Sequence, residues 1–331
     1  MGTNMKTKKL GASDLEVPVI GLGCMVLPGF YGPGSEADAI ATLHRAAEIG
    51  VNFLDSSDLY GAGENEKLLG RAIAGRRGDY IVASKFGNVR TADGKPGVNG
   101  RPEYVQQACE ASLQRLGTDV IDLYYQHRVD TTVPIEDTVG AMARLIEQGK
   151  VRYLGLSEAA ETTIRRAHGT HPISALQTEY SLWSRDVESE ILPLTQELGI
   201  GFVAYSPLGR GIFGGDVTGP DSLPEGDGRR DHPRFQGANL TRNLALVEPV
   251  RQLGLAKGYE PAQIALAWLL SRGENVFAIP GTRRITHLEA NAAAVDITLT
   301  ADEISHLDDL ILPGAASGTR YPAGQMAVLN N

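Results

Sequence analysis

The feature that most constrains the fold of this chain is the alternation of short apolar segments with longer segments of helical periodicity. Segments such as EADAIATLHRAAEIG and PEYVQQACEASLQRLG space their apolar residues by three and four and stop at glycine, as helices often do. Nearly continuous apolar strands between such helices indicate a parallel sheet that is covered on both faces. Eight strands are predicted: VPVIGLGCM (17–25), VNFLD (51–55), YIVASK (80–85), IDLYYQH (121–127), VRYLGLS (151–157), ISALQTEYS (173–181), IGFVAYS (200–206) and VFAIPGT (276–282).

Eight strand and helix units are typical of a closed (β/α)8 barrel, so we predict an α/β protein with the TIM-barrel fold and one domain over residues 1–331. The N-terminal segment KTKKLGASDLEV is predicted to form a small β-hairpin that covers the barrel bottom. Residues 209–240 are rich in Gly, Pro and Asp and predict a long mobile loop after strand seven, over the active face. Residues 313–331 predict an irregular C-terminal tail.

Charge and cysteine content exclude several classes of function. The chain carries 31 Lys and Arg against 40 Asp and Glu, a net charge of −9, so we expect no nucleic-acid or membrane partner. Cys24 and Cys109 are too few for a disulfide framework or a zinc site. The N-terminus has no signal region, and no apolar run reaches the roughly 18 residues of a membrane span. These features predict a soluble cytoplasmic protein without a metal, and they leave its oligomeric state open.

Four titratable side chains are predicted to lie at one end of the barrel. Asp55 ends the second strand, Lys85 the third and His127 the fourth, while Tyr60 lies just beyond the second. In such barrels the C-terminal strand ends form the active site. Each residue alone has an ordinary interpretation, as a helix cap, a solvated lysine, a core histidine or a rim tyrosine. Together they predict an acid catalyst at the barrel mouth.

Simple acid–base chemistry connects the four side chains. A phenol with an ordinary pKa of about 10 is a weak acid at neutral pH, and a nearby ammonium group lowers that pKa. We therefore expect Lys85 to lower the pKa of Tyr60, and Asp55 to hold Lys85 by an ion pair. His127 is expected to orient a substrate carbonyl. Because the sequence offers no metal-ligand cluster, a hydride is the expected attacker on the carbonyl carbon.

The motifs around these residues closely resemble the aldo-keto reductase superfamily. They are LDSSDLYGAGENEKLLG, ASK, SLQRLGTDVIDLYYQH and AYSPLGRG, and the match extends from GLGCM to IPGTRRITHLEAN. YYQHRVD and GLSEA are most similar to the bacterial and plant branch. The resemblance implies carbonyl reduction with NADPH in a (β/α)8 barrel, by a tetrad that falls on Asp55, Tyr60, Lys85 and His127.

Two further segments suggest where a dinucleotide is held. GRGIFG (209–214) matches G-x-G-x-x-G without a following helix, so it is interpreted as a glycine loop whose backbone N–H groups reach phosphate. Thr282, Arg283 and Arg284 lie at or near a predicted helix N-terminus, which favours an anion. A pair of guanidinium groups there suits a 2′-phosphate, which favours NADPH over NADH.

The resemblance implies a complete set of cofactor contacts. Tyr205 matches the aromatic residue that stacks on the nicotinamide, and Ser157 and Gln177 match residues that hold its carboxamide. Glu158 stands where many relatives have Asn, and Ala290 replaces an acid that is common elsewhere in the superfamily. His287 stands where an Arg is frequent. The implied contacts are Gly23, Cys24, Met25, Asp55, Ser157, Gln177, Tyr205, Ser206, Pro207, Leu208, Gly209, Arg210, Thr282, Arg283, Arg284, His287 and Asn291.

Three functions are compatible with these features. The first is NADPH-dependent reduction of a small aldehyde or ketone to an alcohol, with Tyr60 as the general acid. The second is an NADPH-binding regulatory subunit like the potassium-channel β subunits, which resemble the same superfamily. The third is a barrel hydrolase that uses Asp55 and Glu64. Substrate choice is expected to depend on residues 87–101, on residues 209–240 and on the tail.

Overall fold

The computed structural model describes residues 5–27, 35–90 and 95–329 of the chain. Strands β1 (Thr7–Lys9) and β2 (Glu16–Pro18) pair antiparallel and form the predicted N-terminal hairpin. The turn between them packs on the segment that precedes a later barrel strand, where the N–H of Ala12 donates to the carbonyl of Gly199 at 2.6 Å. Gly11 has a φ of +61°, and a Cβ on it would lie 2.3 Å from the same carbonyl oxygen. The hairpin therefore covers the barrel bottom, as predicted.

Ten further strands follow in the described chain, and eight of them form the barrel. Strands β6 and β7 make a second antiparallel hairpin, and the other eight run parallel in the order β12, β11, β10, β9, β8, β5, β4, β3. The N–H of Gly21 donates to the carbonyl of Ala278 at 2.8 Å, which joins the first barrel strand to the last and closes the ring. All eight predicted strands are confirmed. Their bounds are β3 (Leu22–Gly23), β4 (Phe53–Asp55), β5 (Ile81–Phe86), β6 (Asn88–Arg90), β7 (Pro96–Val98), β8 (Ile121–Gln126), β9 (Val151–Ser157), β10 (Ala175–Glu179), β11 (Gly201–Tyr205) and β12 (Val276–Ala278).

Helices alternate with the barrel strands and pack outside them. Helix α3 shows the local signals clearly, since it begins at Pro102 and stops before Gly117, whose φ is +62°. No helix of the described ranges is long and apolar enough to cross a membrane. The bounds are α1 (Glu36–Glu48), α2 (Glu64–Ile73), α3 (Pro102–Leu116), α4 (Ile135–Glu147), α5 (Glu161–Thr170), α6 (Ile191–Leu198), α7 (Gly237–Ala245), α8 (Val247–Lys257), α9 (Pro261–Leu270), α10 (Ile285–Ala293), α11 (Ala301–Leu310) and α12 (Ala323–Met326).

Three segments outside this alternation have more structure than the sequence indicates. Residues 87–101, expected as an irregular loop, contain the β6–β7 hairpin, although positions 91–94 lie outside the described residues. Residues 209–240 form four short 3-10 turns, and Phe213 and Phe235 contact Trp183 edge-on at 5.9 and 6.0 Å. The mobility of this loop stays a prediction. The tail is irregular apart from α12, and its residues 330–331 lie outside the described chain.

Candidate active site

A buried ion pair forms the centre of the barrel mouth. Asp55 is the last residue of β4, and Lys85 lies on the adjacent β5 with no exposed surface. The Lys85 ammonium donates to the Asp55 carboxylate and, at 2.8 Å, to the carbonyl of Ser56. The amide of Gln177 donates to the other Asp55 oxygen at 2.7 Å. Both carboxylate oxygens therefore have a donor, which a buried charge requires.

Tyr60 reaches this pair through a tight turn that follows β4. Its hydroxyl oxygen lies 3.4 Å from Nζ of Lys85. Residues 61–63 take positive φ angles of 58°, 53° and 91°, the left-handed region in which glycine is favoured. Ala62 is the middle residue and carries strain there. The glycines of YGAG are thus needed for the turn that presents the phenol.

Electrostatics keep both Tyr60 and Lys85 protonated at neutral pH. Burial raises the pKa of Tyr60, and the opposing effect of the Lys85 charge is smaller. The expectation of a lowered Tyr60 pKa is therefore wrong in its net direction, because desolvation outweighs the ammonium. Burial alone lowers the pKa of Lys85, but Asp55 and Tyr60 raise it by more. The result is a neutral phenol whose oxygen accepts a hydrogen bond from a fixed positive charge.

His127 follows the last residue of β8 and completes the cluster. Its ring lies edge-on to that of Tyr60, with centroids 6.0 Å apart, and its Nδ1 is 3.1 Å from Oγ of Ser57. Burial, together with Arg128 and Lys85, holds the pKa of His127 well below its usual range. The imidazole is therefore neutral and offers one N–H. The structure brings together all four side chains that the sequence singled out.

Arg128 is a member of the site that the sequence interpretation missed. It is only 7% exposed, and its Nη1 donates to the carbonyl of His127 at 2.7 Å and to Oγ of Ser157 at 3.2 Å. No carboxylate of the described residues pairs with it. The signal was its place next to His127, in a motif that was used only for family resemblance.

Gly155 on β9 leaves room for an aromatic ring next to the ion pair. A Cβ at this position would lie 2.3 Å from the ring of Tyr125, whose centroid is 5.9 Å from Nζ of Lys85. The ring of Tyr125 therefore fills the space that a side chain at position 155 would need. Glycine at 155 lets the Tyr125 ring lie within cation–π distance of the ammonium.

The residues assigned to the nicotinamide lie on adjacent strand ends. Ser157 on β9 and Gln177 on β10 are register partners, and Tyr205 ends β11. The Tyr205 hydroxyl is 2.8 Å from that of Tyr321 in the tail. These positions border the ion pair, since Gln177 bonds Asp55 directly. Their contacts with a cofactor stay a prediction.

Glu158, the departure from the family pattern, has a buried partner in the tail. Its carboxylate lies 3.1 Å from Arg320 and accepts the backbone N–H of Glu179 at 3.0 Å. Its φ of +51° is one of four positive values at residues other than glycine in the described ranges, and each of the four follows the C-terminal end of a barrel strand. Asn at this position would leave Arg320 without this carboxylate. The Arg320 guanidinium in the tail therefore pairs with the Glu158 carboxylate inside the protein.

The glycine loop follows β11 and turns sharply. Residues 206–208 lead into the 3-10 segment Gly209–Gly214, with Ser206 at a φ of +49° and Arg210 at +59°. A Cβ on Gly209 would lie 2.8 Å from the Trp183 ring. The Arg210 guanidinium lies 3.4 Å from Glu179 and 4.8 Å from the centroid of the Tyr321 ring. Ser206, Pro207, Leu208, Gly209 and Arg210 thus line the mouth, while their phosphate contacts stay a prediction.

The residues assigned to the 2′-phosphate gather at the start of α10. Arg284 is the residue before the helix, and its N–H donates to the Thr282 hydroxyl at 3.1 Å. Its guanidinium pairs at 2.7 Å with Asp216, which lies two residues beyond the glycine loop, and lies 3.3 Å from Nδ1 of His287. Arg283 precedes it, and Asn291 is buried farther along the helix. Two arginines at a helix N-terminus fit a dianionic phosphate.

The remaining residues assigned to the cofactor, Gly23, Cys24 and Met25, lie at the end of β3 and in the turn after it, beside the ion pair. Gly23 is the register partner of Asp55, and a Cβ on it would lie 2.7 Å from the carbonyl of Ile279. Cys24 and Met25 lie in the 3-10 turn that follows. Burial raises the pKa of the Cys24 thiol, so it is not a nucleophile.

Glu64, the second carboxylate of the hydrolase hypothesis, does not share this site. Its side chain is 63% exposed at the start of α2 and pairs with Lys67 at 2.7 Å. Two carboxylates that flank one substrate would have to face each other. The geometry does not support the hydrolase.

Comparison with known proteins identifies the family. The family model described as Aldo/keto reductase family matches residues 19–312. The glycerol dehydrogenase AKR11B4 from Gluconobacter oxydans is 27% identical with a TM-score of 0.83, over 94% of this chain and 95% of that one. The aldo-keto reductase AKR11C1 from Bacillus halodurans, in its holo form, is 32% identical with a TM-score of 0.75, over 97% and 100%.

A third solved structure carries a nucleotide. The aldo/keto reductase from Klebsiella pneumoniae, in complex with NADP and acetate, is 27% identical with a TM-score of 0.72, over 96% of this chain and 99% of that one. The family model and the two AKR11 proteins cover nearly the whole described barrel. The chain therefore belongs to the aldo/keto reductase family.

Proposed function

We propose that this protein reduces aldehydes or ketones to alcohols with NADPH, and that Tyr60 is the general acid. Family membership makes the chain an NADP-dependent oxidoreductase. The observation that carries the proposal is the Tyr60 hydroxyl, which lies 3.4 Å from a fully buried, ion-paired Lys85. A neutral phenol beside a fixed cation can donate a proton and then be stabilised as phenolate.

Each residue of the tetrad has one task in this proposal. NADPH, when bound, supplies the hydride that reaches the carbonyl carbon. Tyr60 donates its proton to the carbonyl oxygen, and Lys85 stabilises the phenolate that results. Asp55 fixes the ammonium by accepting its hydrogen bond. His127, being neutral, holds the same oxygen with its free N–H.

The residues present also fit the cofactor. Arg283 and Arg284 at the start of α10 suit a 2′-phosphate, and Ser157 and Gln177 place polar atoms beside Asp55 for a carboxamide. The Klebsiella pneumoniae relatives were solved with NADP and with NADPH. We therefore propose NADPH as the preferred nucleotide.

The test is consumption of NADPH with a panel of aldehydes and ketones, comparing wild type with Tyr60→Phe. Loss of the acid is expected to lower kcat by about 10²–10⁴-fold, the usual worth of general acid catalysis, and to leave NADPH affinity unchanged. Tyr259→Phe is the matched control, since Tyr259 is exposed at the surface. Wild-type turnover by the Tyr60 variant would refute the assignment.

The same assay separates the enzyme from a regulatory subunit. A protein of the channel β-subunit type would bind NADPH with the same residues and turn over no carbonyl of the panel. Binding is followed by quenching of Trp183 and Trp268 fluorescence. Tight NADPH binding with turnover supports the reductase, while binding without turnover supports the subunit.

A further inference from the structure

The Ser57 hydroxyl lies between two groups, and each of them can accept the one hydrogen bond that it donates. Its Oγ is 3.1 Å from Nδ1 of His127 and 3.3 Å from Oδ1 of Asp58. It also accepts the backbone N–H of Leu59 at 3.2 Å. A serine hydroxyl donates one hydrogen bond, so it cannot serve both neighbours at once. The two distances are similar, so the charge of Asp58 decides which neighbour accepts the Ser57 hydrogen bond.

That choice fixes which nitrogen of His127 carries its proton. When Ser57 donates to Nδ1, the neutral imidazole keeps its proton on Nε2 and can donate it to a carbonyl oxygen. When Ser57 donates to Asp58, Nδ1 must carry the proton and donate it to Ser57. Nε2 then presents a lone pair, which repels a carbonyl oxygen.

Asp58 is placed to change charge near neutral pH. Burial raises the pKa of Asp58 to about 7, the Glu66 carboxylate on α2 adds to the rise, and Arg115 on α3 opposes it. Tyr104 on α3 and Tyr124 on β8 also face this carboxyl. Burial raises the pKa of both phenols, that of Tyr104 to about 12, so they stay neutral while Asp58 titrates.

We propose that Asp58 and Ser57 are positioning residues that set the tautomer of His127 and thereby turn carbonyl binding on and off. With Asp58 protonated, its O–H donates to Ser57, Ser57 donates to Nδ1, and His127 offers Nε2–H to the substrate. With Asp58 ionised, its proton has gone to solvent, its carboxylate accepts the Ser57 hydrogen bond, and the neutral imidazole carries its proton on Nδ1 instead of Nε2. The effect on turnover rests on the proposed function, whereas the tautomer change does not.

The direct test is nuclear magnetic resonance of the holoenzyme with nitrogen-15-labelled histidine and bound NADP. Two-bond proton–nitrogen correlations distinguish the two neutral tautomers, and the His127 signal is assigned by its loss in His127→Asn. In wild type we expect Nε2–H one pH unit below the Asp58 pKa and Nδ1–H one unit above it. Asp58→Asn is expected to keep Nε2–H throughout, because the amide is uncharged at every pH.

Two further variants separate the relay from a general effect of charge. Ser57→Ala removes the connecting hydroxyl, so the His127 tautomer should no longer follow pH. Glu64→Gln removes an exposed carboxylate on the next helix, and the tautomer change should remain. In kinetics, kcat/KM for the carbonyl should fall by about tenfold per pH unit above the Asp58 pKa in wild type, as one ionisation gives. The Asp58→Asn profile should be flat there.

A wild-type His127 that keeps one tautomer across this range overturns the proposal. So does an Asp58→Asn variant in which the tautomer still changes. The resonance experiment needs no turnover, so its result is independent of the assay. A tautomer change in a protein that reduces no carbonyl supports the relay and contradicts only the proposed function.

Discussion

Each end of the barrel holds a buried aspartate that forms ion pairs with cationic side chains, yet the two sites are built differently. At the bottom, Asp122 near the start of β8 accepts from Arg77 at 2.6 Å, from Arg152 at 3.0 Å and from the N–H of Val82 at 2.8 Å. At the mouth, Asp55 accepts from Lys85 and from Gln177.

The difference lies in the cations and in what surrounds them. The side chains of Arg77 and Arg152 are 26% and 50% exposed, so water shares their charge. Lys85 has no exposed surface and touches the Tyr60 hydroxyl. An ion pair that is open to water is screened and mainly connects the strands. A fully buried ion pair is not screened by water, so its charges shift the pKa values of neighbouring groups. We therefore expect the same ion-pair chemistry to serve stability at the bottom and, in the proposed function, reactivity at the mouth.

The largest expected effect comes from breaking the pair at the mouth. Lys85→Met leaves Asp55 charged, buried and without its ion partner, which costs about 3–5 kcal/mol of stability. It also removes the cation beside Tyr60, so kcat should fall by about 10²-fold or more. The measurements are unfolding in urea and carbonyl reduction by the folded fraction.

The matched control for this variant is Lys150→Met, since Lys150 pairs with the exposed Glu110 at the surface. This control should lose less than about 1 kcal/mol and keep its activity. A Lys85 variant with lower stability and wild-type kcat would show that the mouth pair serves only the fold, which would remove the contrast between the two ends.

A smaller effect, on stability alone, is expected at the bottom. Asp122→Asn keeps the shape of the side chain and loses the charge that holds two arginines, at a cost of about 1–3 kcal/mol. The site lies at the opposite end from Tyr60, so kcat and KM should not change. Urea unfolding and steady-state kinetics measure the two quantities. A large fall in kcat would contradict the division between the ends.

The smallest effect concerns an exposed pair at the mouth. Arg284 is 57% exposed and pairs with Asp216, so its loss should scarcely change stability. If it binds the 2′-phosphate, Arg284→Ala should raise the Kd for NADPH by about tenfold, or 1.4 kcal/mol, and leave that for NADH unchanged. Arg251→Ala is the control, since the Arg251 side chain on α8 is 47% exposed. Equal weakening of both nucleotides would count against the 2′-phosphate role.

The sequence predicted the fold, and it predicted that Asp55, Tyr60, Lys85 and His127 lie together, because both depend on local pattern. Strands β4 and β8 are buried at every residue, so they appear in the sequence as mostly apolar segments. The polar residues at their ends are therefore easy to recognise. Family resemblance then supplied roles that no periodicity contains.

Sequence analysis missed contacts between residues that lie far apart along the chain. Arg320 pairs with Glu158 across 162 positions, and nothing near either residue indicates the other. The pKa of Tyr60 was predicted in the wrong direction, because the proximity of a lysine could be inferred from strand order while the extent of burial could not. The β6–β7 hairpin was overlooked because its strands are short and only partly buried.

By itself, the sequence determined that this chain is a parallel barrel with Asp55, Lys85 and His127 at the strand ends, because alternation and strand order depend on neighbours along the chain. Only the tertiary structure decided how those groups behave. Desolvation depends on how deeply each group is buried, and the 3.1 Å contact of Ser57 with His127 joins residues that are 70 positions apart in the chain.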